Sequence, residues 1–343
     1  MKVYVRGILF LLIIGATSAC SNKVPSDASS ESEKDSSAQI SEQQVFLADP
    51  TIFYDSGVYY LYGTHVVKRG FEVYTSADLK NWEKAPDLAL SKKEVYGDHG
   101  FWAPQVFRYK NAYYMAYTAN EHIAIAKSDN PMGPFKQAEK EPFSALGKSI
   151  DPFIFIDDDG SKYLYFVKLQ EGNRIFSAEL KDDLSGIKPG TVTSCLNAVV
   201  HPQQWENMED KEWSVTEGPT ILKHEGIYFL FYSANDYRSI YYAVGYATAP
   251  SPMGPWTKYP GNPVLNKDSI GQNGPGHGDL FKDEKGQYYY VFHTHLSNNK
   301  VNPRKTALIK GDFISSGDKS DKMRFDNQSF YYLKFKKSKR KDD

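Results

Sequence analysis

The sequence predicts an all-β fold, a single-domain β-propeller with five blades. Aromatic residues make up 15% of the chain, with 25 Tyr, 20 Phe and 5 Trp, and aromatic side chains pack well on the pleated surface of strands. Short strands of this kind recur with Gly or Asp in the turns between them, as at 55–57. No convincing helical period interrupts them. Radial repetition of four-stranded units is the pattern of a propeller.

Five cycles of about four short strands follow one another along the chain. Their first strands recur at intervals of roughly 50 to 65 residues, at and above the upper end of the usual range for propeller blades. These first strands are expected at 49–53, 103–107, 151–155, 217–222 and 277–281. The alternative is a β-sandwich whose strands resemble one another by accident. Five ordered cycles favour one domain with five blades.

The overall charge and composition exclude several classes of protein. Lys and Arg number 41 against 42 Asp and Glu, so no basic excess indicates a nucleic-acid partner. The mean hydropathy of −0.54 excludes a membrane protein with several spans. Two cysteines are too few for a disulfide-stabilised scaffold.

Residues 1–19 have the features of a cleaved signal peptide. Lys2 and Arg6 precede an apolar run at 8–14 that is too short to span a bilayer, and small residues follow it. Cys20 comes directly after them, as at the cleavage site of bacterial lipoproteins. We therefore expect an exported bacterial lipoprotein, periplasmic or on the cell surface, that contacts the membrane only through a lipid on Cys20. Ordinary secretion, with Cys20 incidental, is the alternative.

A flexible linker is expected between Cys20 and the propeller. Ser and acidic residues dominate positions 20–44, and such a segment cannot bury enough apolar surface to offset its ordering entropy. The propeller is then expected at 45–333. The basic tail at 334–343 is expected to be a solvated end.

Three carboxylates are expected where the innermost strands begin. The first strand of each blade lines the central channel of a propeller, so the starts of these strands converge on one face. The residues expected there are Asp49, Ala103, Asp151, Glu217 and His277. Like charges at close range oppose one another's ionisation. Three acids around one axis are therefore unfavourable for stability, and this indicates a functional role. Two carboxyl groups held across a cleft are what hydrolysis of a glycosidic bond needs.

Four further residues are predicted to bind the substrate on this face. Trp102 precedes the first strand of blade two, where its ring would wall a sugar site or else pack between blades. His65 and Asn235 lie in loops that follow second strands and return to the same face. Arg304 opens a third strand, where its fork of donors would bind sugar hydroxyls unless it forms a surface ion pair.

An ordered set of short motifs resembles glycoside hydrolase family 43. The set consists of ADPTIF at 48–53, FWAP at 101–104, IDPF at 150–153, TEGP at 216–219 and GHG at 276–278, followed by Arg304. The resemblance implies a five-bladed propeller that inverts the anomeric configuration and acts mainly on arabinose- and xylose-containing glycans. It also implies that Asp49 is the general base and Glu217 the general acid, with Asp151 modulating the pKa of Glu217.

The predicted function is removal of terminal α-L-arabinofuranosyl or β-D-xylosyl residues from plant-type polysaccharides or oligosaccharides. The chemistry needs two carboxyl groups and no cofactor, although the resemblance implies a structural calcium ion at His277. An endo-acting arabinanase and a non-catalytic glycan-binding propeller are the alternatives. The long insert at 185–216 favours a closed pocket, and the intact carboxylates favour an enzyme.

Overall fold

The structure, a computed structural model, describes residues 42–315 and 321–336. These residues form five β-sheets, the blades of a propeller, and one small two-stranded sheet. The five-bladed all-β fold that the sequence predicts is confirmed. The predicted signal peptide, Cys20, most of the linker and the end of the basic tail lie outside the described residues. In the part of the chain that is described, no helix has the length and apolar character to cross a membrane.

The strands follow the blades in chain order. Blades one and two contain β1 (Glu42–Gln44), β2 (Ala48–Asp55), β3 (Val58–Thr64), β4 (Gly70–Phe71), β5 (Tyr74–Ser76), β6 (Trp82–Lys84), β7 (Leu90–Ser91), β8 (Trp102–Tyr109), β9 (Ala112–Ala119) and β10 (His122–Ser128). Blade three contains β11 (Ser149–Ile156), β12 (Lys162–Leu169), β13 (Asn173–Glu179) and β14 (Thr193–Leu196). Blade four contains β15 (Thr216–His224), β16 (Ile227–Ala234), β17 (Ala243–Ala249) and β18 (Thr257–Lys258). Blade five contains β19 (Gly276–Lys282), β20 (Tyr288–Thr294), β21 (Lys305–Ile314) and β22 (Lys322–Tyr332), before a last strand, β23 (Lys334–Lys336).

Three short helical turns lie between these strands. They are η1 (Ser144–Leu146), η2 (Gln204–Asn207) and α1 (Lys267–Ile270). The turn η2 belongs to the long insert before β15, and it fixes that insert against blade four.

The apolar core is divided among the junctions between blades. Side chains alternate along a strand, so each central strand packs against both neighbouring blades. In β16, Phe229 and Phe231 join the cluster shared with blade five, whereas Leu230 and Tyr232 join the cluster shared with blade three. Five such clusters fill the five junctions. Because both faces of these strands are buried, their sequences are apolar at successive positions and not only at every second one.

The two ends of the described chain close the ring at blade one. Its sheet runs in the order β1-β23-β6-β5-β3-β2, with β23 parallel to β6 and antiparallel to β1. Val45 donates its N–H to the carbonyl of Leu333 at 2.9 Å, and Thr306 of blade five donates to the carbonyl of Val45 at 3.1 Å. The predicted basic tail begins with a strand, whose two lysines are exposed. Its first three residues cover the edge of β6, whose backbone groups would otherwise lack partners.

Candidate active site

A bulge interrupts the first strand of every blade at the same place. The pairing with the second strand skips two residues, and the first of the two has a positive φ. These residues are Asp49 (48°), Ala103 (45°), Asp151 (55°), Gly218 (60°) and His277 (41°). The left-handed region is costly for residues other than Gly, so its repetition at one level of the ring indicates a feature that the scaffold enforces.

The acid of blade four is offset from this level by one residue. The sequence pattern predicts Glu217 at the same level as Asp49 and Asp151, but Gly218 occupies the left-handed position and Glu217 pairs with Ser233 ahead of the bulge. That prediction is therefore wrong by one residue. Because side chains alternate along a strand, a shift of one residue means that the side chain of Glu217 leaves its strand in a different direction from those of Asp49 and Asp151.

Backbone N–H groups at the bulges tie neighbouring blades together. In four blades the N–H is donated to a side chain on the second strand of the preceding blade. The pairs are Ala103 to Thr64 (2.9 Å), Asp151 to Thr118 (3.0 Å), His277 to Ser233 (2.8 Å) and Asp49 to His293 (3.1 Å). In blade four the N–H of Gly218 is donated instead to Oδ2 of Asp151, at 3.2 Å. The ring itself therefore helps to hold the carboxyl group of Asp151 in place.

Asp49 is a buried carboxylate surrounded by nitrogen atoms. Arg304 donates to its Oδ1 at 3.0 Å, and the Nδ1 atoms of His277 and His293 each lie 3.4 Å from the same oxygen. Burial alone would raise the pKa of Asp49, but the charges of Arg304 and His277 outweigh it and hold that pKa well below its usual range. Asp49 is therefore ionised throughout the neutral pH range.

Glu217 has the opposite electrostatic character. Tyr242 donates its hydroxyl to Oε1 at 2.7 Å, and Asn173 donates its amide N–H to Oε2 at 2.9 Å. Burial, followed by the charge of Asp151, raises the pKa of Glu217 to about 7. A proton is therefore available on this side of the pocket near neutral pH.

Asp151 lies between these two groups and is itself buried. Burial raises its pKa, while His277, whose Nδ1 lies 3.8 Å from Oδ2, acts in the opposite direction. Burial would lower the pKa of His277, but Asp49 and Asp151 outweigh burial and raise it. His277 and the two aspartates therefore favour one another's charged forms.

A pocket of about 360 Å³ brings these groups together. Its lining includes Asp49, Asp151 and Glu217, with Trp102 and Arg304 beside them. The volume is at the small end of the usual range for ligand sites. Of the predicted substrate-binding residues, Trp102 and Arg304 therefore reach the pocket.

Arg304 contacts two protein groups at the edge of the pocket. Its guanidinium is committed to Asp49 at 3.0 Å and lies 4.4 Å from the centre of the Tyr237 ring. The ion pair is therefore with the candidate base and not on the surface, while the prediction that Arg304 binds sugar hydroxyls stays a prediction. Arg304 is thus a charge that keeps Asp49 ionised.

His65 and Asn235 are placed away from the pocket lining. The Nδ1 atom of His65 lies 2.9 Å from Oε2 of Glu72. Asn235 is buried, and its amide donates to the carbonyls of Trp205 (2.7 Å) and Tyr241 (2.9 Å). Both side chains are therefore used by protein contacts, and the prediction that they bind substrate does not match their placement.

The surroundings of His277 do not fit a calcium ion. Calcium takes about six to eight oxygen ligands, whereas the nearest carboxylates, Asp49 and Asp151, already face Arg304 and the Gly218 N–H. The cavity beneath the pocket on the propeller axis is about 30 Å³, with room for about two water molecules. The calcium role expected for His277 is not supported by this donor set.

Two residues at the site, Asn173 and Tyr242, were not predicted from the sequence, whereas Trp213 belongs to the insert that was expected to wall the pocket. Asn173 opens β13, Tyr242 precedes β17, and Trp213 lies in the insert before β15. Asn173 and Tyr242 contact Glu217 directly, and Trp213 lines the pocket. The sequence predicts that the insert at 185–216, which carries Trp205 and Trp213, walls one side of the pocket, and Trp213 lines it.

Comparison with known proteins places the chain among glycosidases. Beta-D-galactofuranosidase xynD of Aspergillus niger is 27% identical over 284 residues, which are 76% of this chain and 78% of that protein. Xylosidase/arabinosidase 43A of Humicola insolens is 27% identical over 263 residues, covering 62% of this chain and 79% of its own. A crystal structure described as endo-1,4-beta-xylanase from Bacteroides thetaiotaomicron VPI-5482 has a TM-score of 0.80 and 39% identity, covering 87% of this chain and all of that one.

The family assignment rests on a match over most of the chain. Residues 43–317 match the family described as Glycosyl hydrolases family 43. This range contains all five bulges, the three carboxyl groups and Arg304. The protein is therefore a glycosidase and belongs to family 43 of the glycosyl hydrolases.

Proposed function

We propose that this glycosidase is an inverting, exo-acting enzyme that removes terminal α-L-arabinofuranosyl or β-D-xylosyl residues from arabinose- or xylose-containing glycans. One observation carries the proposal: two buried carboxyl groups of one pocket differ in ionisation. Asp49 is held as a carboxylate, whereas Glu217 keeps a proton up to about pH 7. Glycosidic hydrolysis needs such a base and such an acid together.

The proposed reaction follows from these two protonation states. Glu217 transfers its proton to the glycosidic oxygen as the bond from that oxygen to the anomeric carbon breaks. A water molecule attacks the anomeric carbon from the opposite face, and Asp49 accepts the proton that this water loses. The sugar product therefore has the anomeric configuration opposite to that of the substrate.

Asp151 serves the acid without exchanging a proton with the substrate. Its negative charge opposes ionisation of Glu217 and so keeps the acid protonated at higher pH. The Gly218 N–H fixes its orientation from the residue next to Glu217. Hydrolysis by this route needs no cofactor.

The small pocket supports recognition of one terminal sugar. Its volume of about 360 Å³ is near the lower limit for ligand sites. The insert before β15 contributes Trp213 and Val215 to one wall. The relative named Xylosidase/arabinosidase supports a pentose, and the relative named Beta-D-galactofuranosidase makes a furanose ring the first alternative to test.

Endo-action on a xylan-type chain is the second candidate, because the structure with 39% identity is described as an endo-1,4-beta-xylanase. An endo-acting enzyme needs a groove that holds sugars on both sides of the scissile bond.

A non-catalytic glycan-binding propeller is disfavoured by the different ionisation of Asp49 and Glu217, since binding alone requires no such difference.

Product analysis separates these candidates. Nitrophenyl α-L-arabinofuranoside, β-D-xyloside and β-D-galactofuranoside should be compared, followed by linear arabinan and xylan. We expect release of single sugars and a slow fall in polymer viscosity relative to the reducing ends formed. A rapid fall in viscosity would establish endo-action, and proton NMR showing a first-formed product of retained configuration would contradict inversion.

The pH profile should depend on Asp151. Activity requires a protonated Glu217, so kcat/KM is expected to fall as the pH rises through about 7, the pKa of that group. Asp151→Asn removes the charge that raises this pKa, and the alkaline limb should therefore move to lower pH. An alkaline limb at the same pH in the variant would mean that Asp151 does not tune the acid.

We also propose that the protein is an exported lipoprotein anchored through Cys20. The support is the sequence of residues 1–20 alone. Cys20→Ser should move the protein from the membrane fraction to the soluble fraction, while the activity per molecule stays unchanged. Unaltered membrane fractionation of the variant would exclude lipidation at this residue.

A further inference from the structure

Trp213 is a large aromatic side chain left half-exposed at the edge of the pocket. It is 50% exposed, although Trp is on average a well-buried residue. It lines the same pocket as Glu217 and Asn173. An exposed ring beside polar groups in a concave site is suited to packing against the apolar C–H face of a sugar.

The same indole is hydrogen-bonded to the group that holds the acid. Its Nε1–H donates to Oδ1 of Asn173 at 3.0 Å, and Nδ2 of Asn173 donates to Oε2 of Glu217 at 2.9 Å. An indole nitrogen can only donate. Trp213 therefore makes Oδ1 the accepting end of the amide and directs the amide N–H of Asn173 towards Glu217.

The segment that carries Trp213 is anchored to blades three and four. Glu206 of η2 is fully buried, pairs with Lys258 at 2.7 Å and accepts from the hydroxyl of Tyr232 at 2.7 Å. Next to Trp213, the carbonyl of Ser214 accepts the backbone N–H of Asn173 at 3.0 Å. The indole is therefore presented by a fixed part of the insert and not by a free loop.

We propose that Trp213 binds the sugar of the leaving group and, through Asn173, positions the carboxyl group of Glu217. The inference deepens the proposed function and rests on Glu217 being the acid. An acid must meet the glycosidic oxygen, so the sugar beyond that oxygen lies on the Glu217 side of the pocket, where Trp213 is. Binding of the leaving group and orientation of its proton donor thus depend on one residue.

Two substitutions separate the two roles. Trp213→Phe keeps an aromatic ring and removes the N–H, so kcat on a substrate with a sugar leaving group should fall about 2- to 10-fold, the worth of one hydrogen bond. Its KM should stay nearly constant. On the dinitrophenyl glycoside of the same sugar kcat should not change, because that leaving group needs no proton. Trp213→Ala removes the ring as well and should raise KM for the substrate with the sugar leaving group.

A double-variant cycle tests the connection through Asn173. If Trp213 acts on the acid through this amide, Trp213→Phe combined with Asn173→Ala should lower kcat no further than Asn173→Ala alone. Trp205→Phe is the matched control, because Trp205 lies in the same insert and donates its indole N–H to Gln203 at 2.8 Å. It should leave the ratio of kcat values on the two substrates unchanged.

The outcomes distinguish this inference from the proposed function. Wild-type protein that hydrolyses neither glycoside would contradict the proposed function, and with it the inference. Active wild-type enzyme with equal losses on both substrates in Trp213→Phe, or with no loss on the sugar leaving group, would overturn the inference alone. Additive losses in the double variant would also overturn it.

Discussion

Replacing Asp49 with Asn is expected to lower kcat/KM by about 10²- to 10⁴-fold on good and poor leaving groups alike, the usual effect of losing a positioned base. The amide has nearly the shape of the carboxylate but cannot accept a proton from water. The loss is independent of the leaving group because attack by water is required in every case. Rates on a dinitrophenyl glycoside and on a natural oligosaccharide should be measured side by side.

Two further measurements show whether the loss is chemical. Azide attacks without a base, so adding it to Asp49→Asn with the dinitrophenyl substrate should restore turnover and give a glycosyl azide of inverted configuration. Asp279→Asn is the matched control, because Asp279 is a buried carboxylate on the same axis whose oxygens accept from Thr51 (2.6 Å) and Thr220 (2.7 Å). A comparable loss in the control would show that Asp49 matters for the scaffold and not as the base.

Replacing Glu217 with Gln should produce a loss that depends on the leaving group. On natural glycans kcat/KM should fall by about 10²- to 10⁴-fold, since protonation of the sugar oxygen contributes most when the leaving group is poor. On the dinitrophenyl glycoside most of the activity should remain. The ratio of the two losses is the measurement that identifies an acid.

The control for this variant is another buried glutamate. Glu72→Gln weakens the ion pair with Lys84 in blade one, away from the pocket, which should destabilise the fold and lower its Tm. It should not change the ratio of activities on good and poor leaving groups. Equal losses on both substrates in Glu217→Gln would contradict its assignment as the acid.

The blades were predicted correctly from the sequence, but the position of the acid relative to the bulge in its blade was predicted wrongly. Continuous apolar runs mark both faces of each central strand as buried, which is a local pattern. The bulge is defined by pairing between strands, and Glu217 was aligned with Asp49 by its charge. A proline follows the left-handed residue in four blades, at 50, 104, 152 and 219, and this repeat would have placed Gly218 at the bulge.

The residues that tune the carboxyl groups come from distant parts of the chain. Asn173 is 44 residues from Glu217 and Tyr242 is 25 residues from it, and neither belongs to a motif that includes the acid. Arg304 was identified, but its partner was not, because the contact with Asp49 spans 255 residues and the closure of the ring. Spacing along the sequence carries no information about such contacts.

The first and last described strands, β1 and β23, lie side by side in blade one. The propeller itself therefore does not require the chain to be open at this point. Glu42 pairs with Lys336 across these strands, so a short peptide link could join the two without crossing the propeller. New ends could then be opened in an exposed turn, such as the one at Lys285 and Gly286 between β19 and β20. A circularly permuted enzyme of this design should keep its pocket, because the hydrogen bonds that close the ring would be reinforced by a covalent bond.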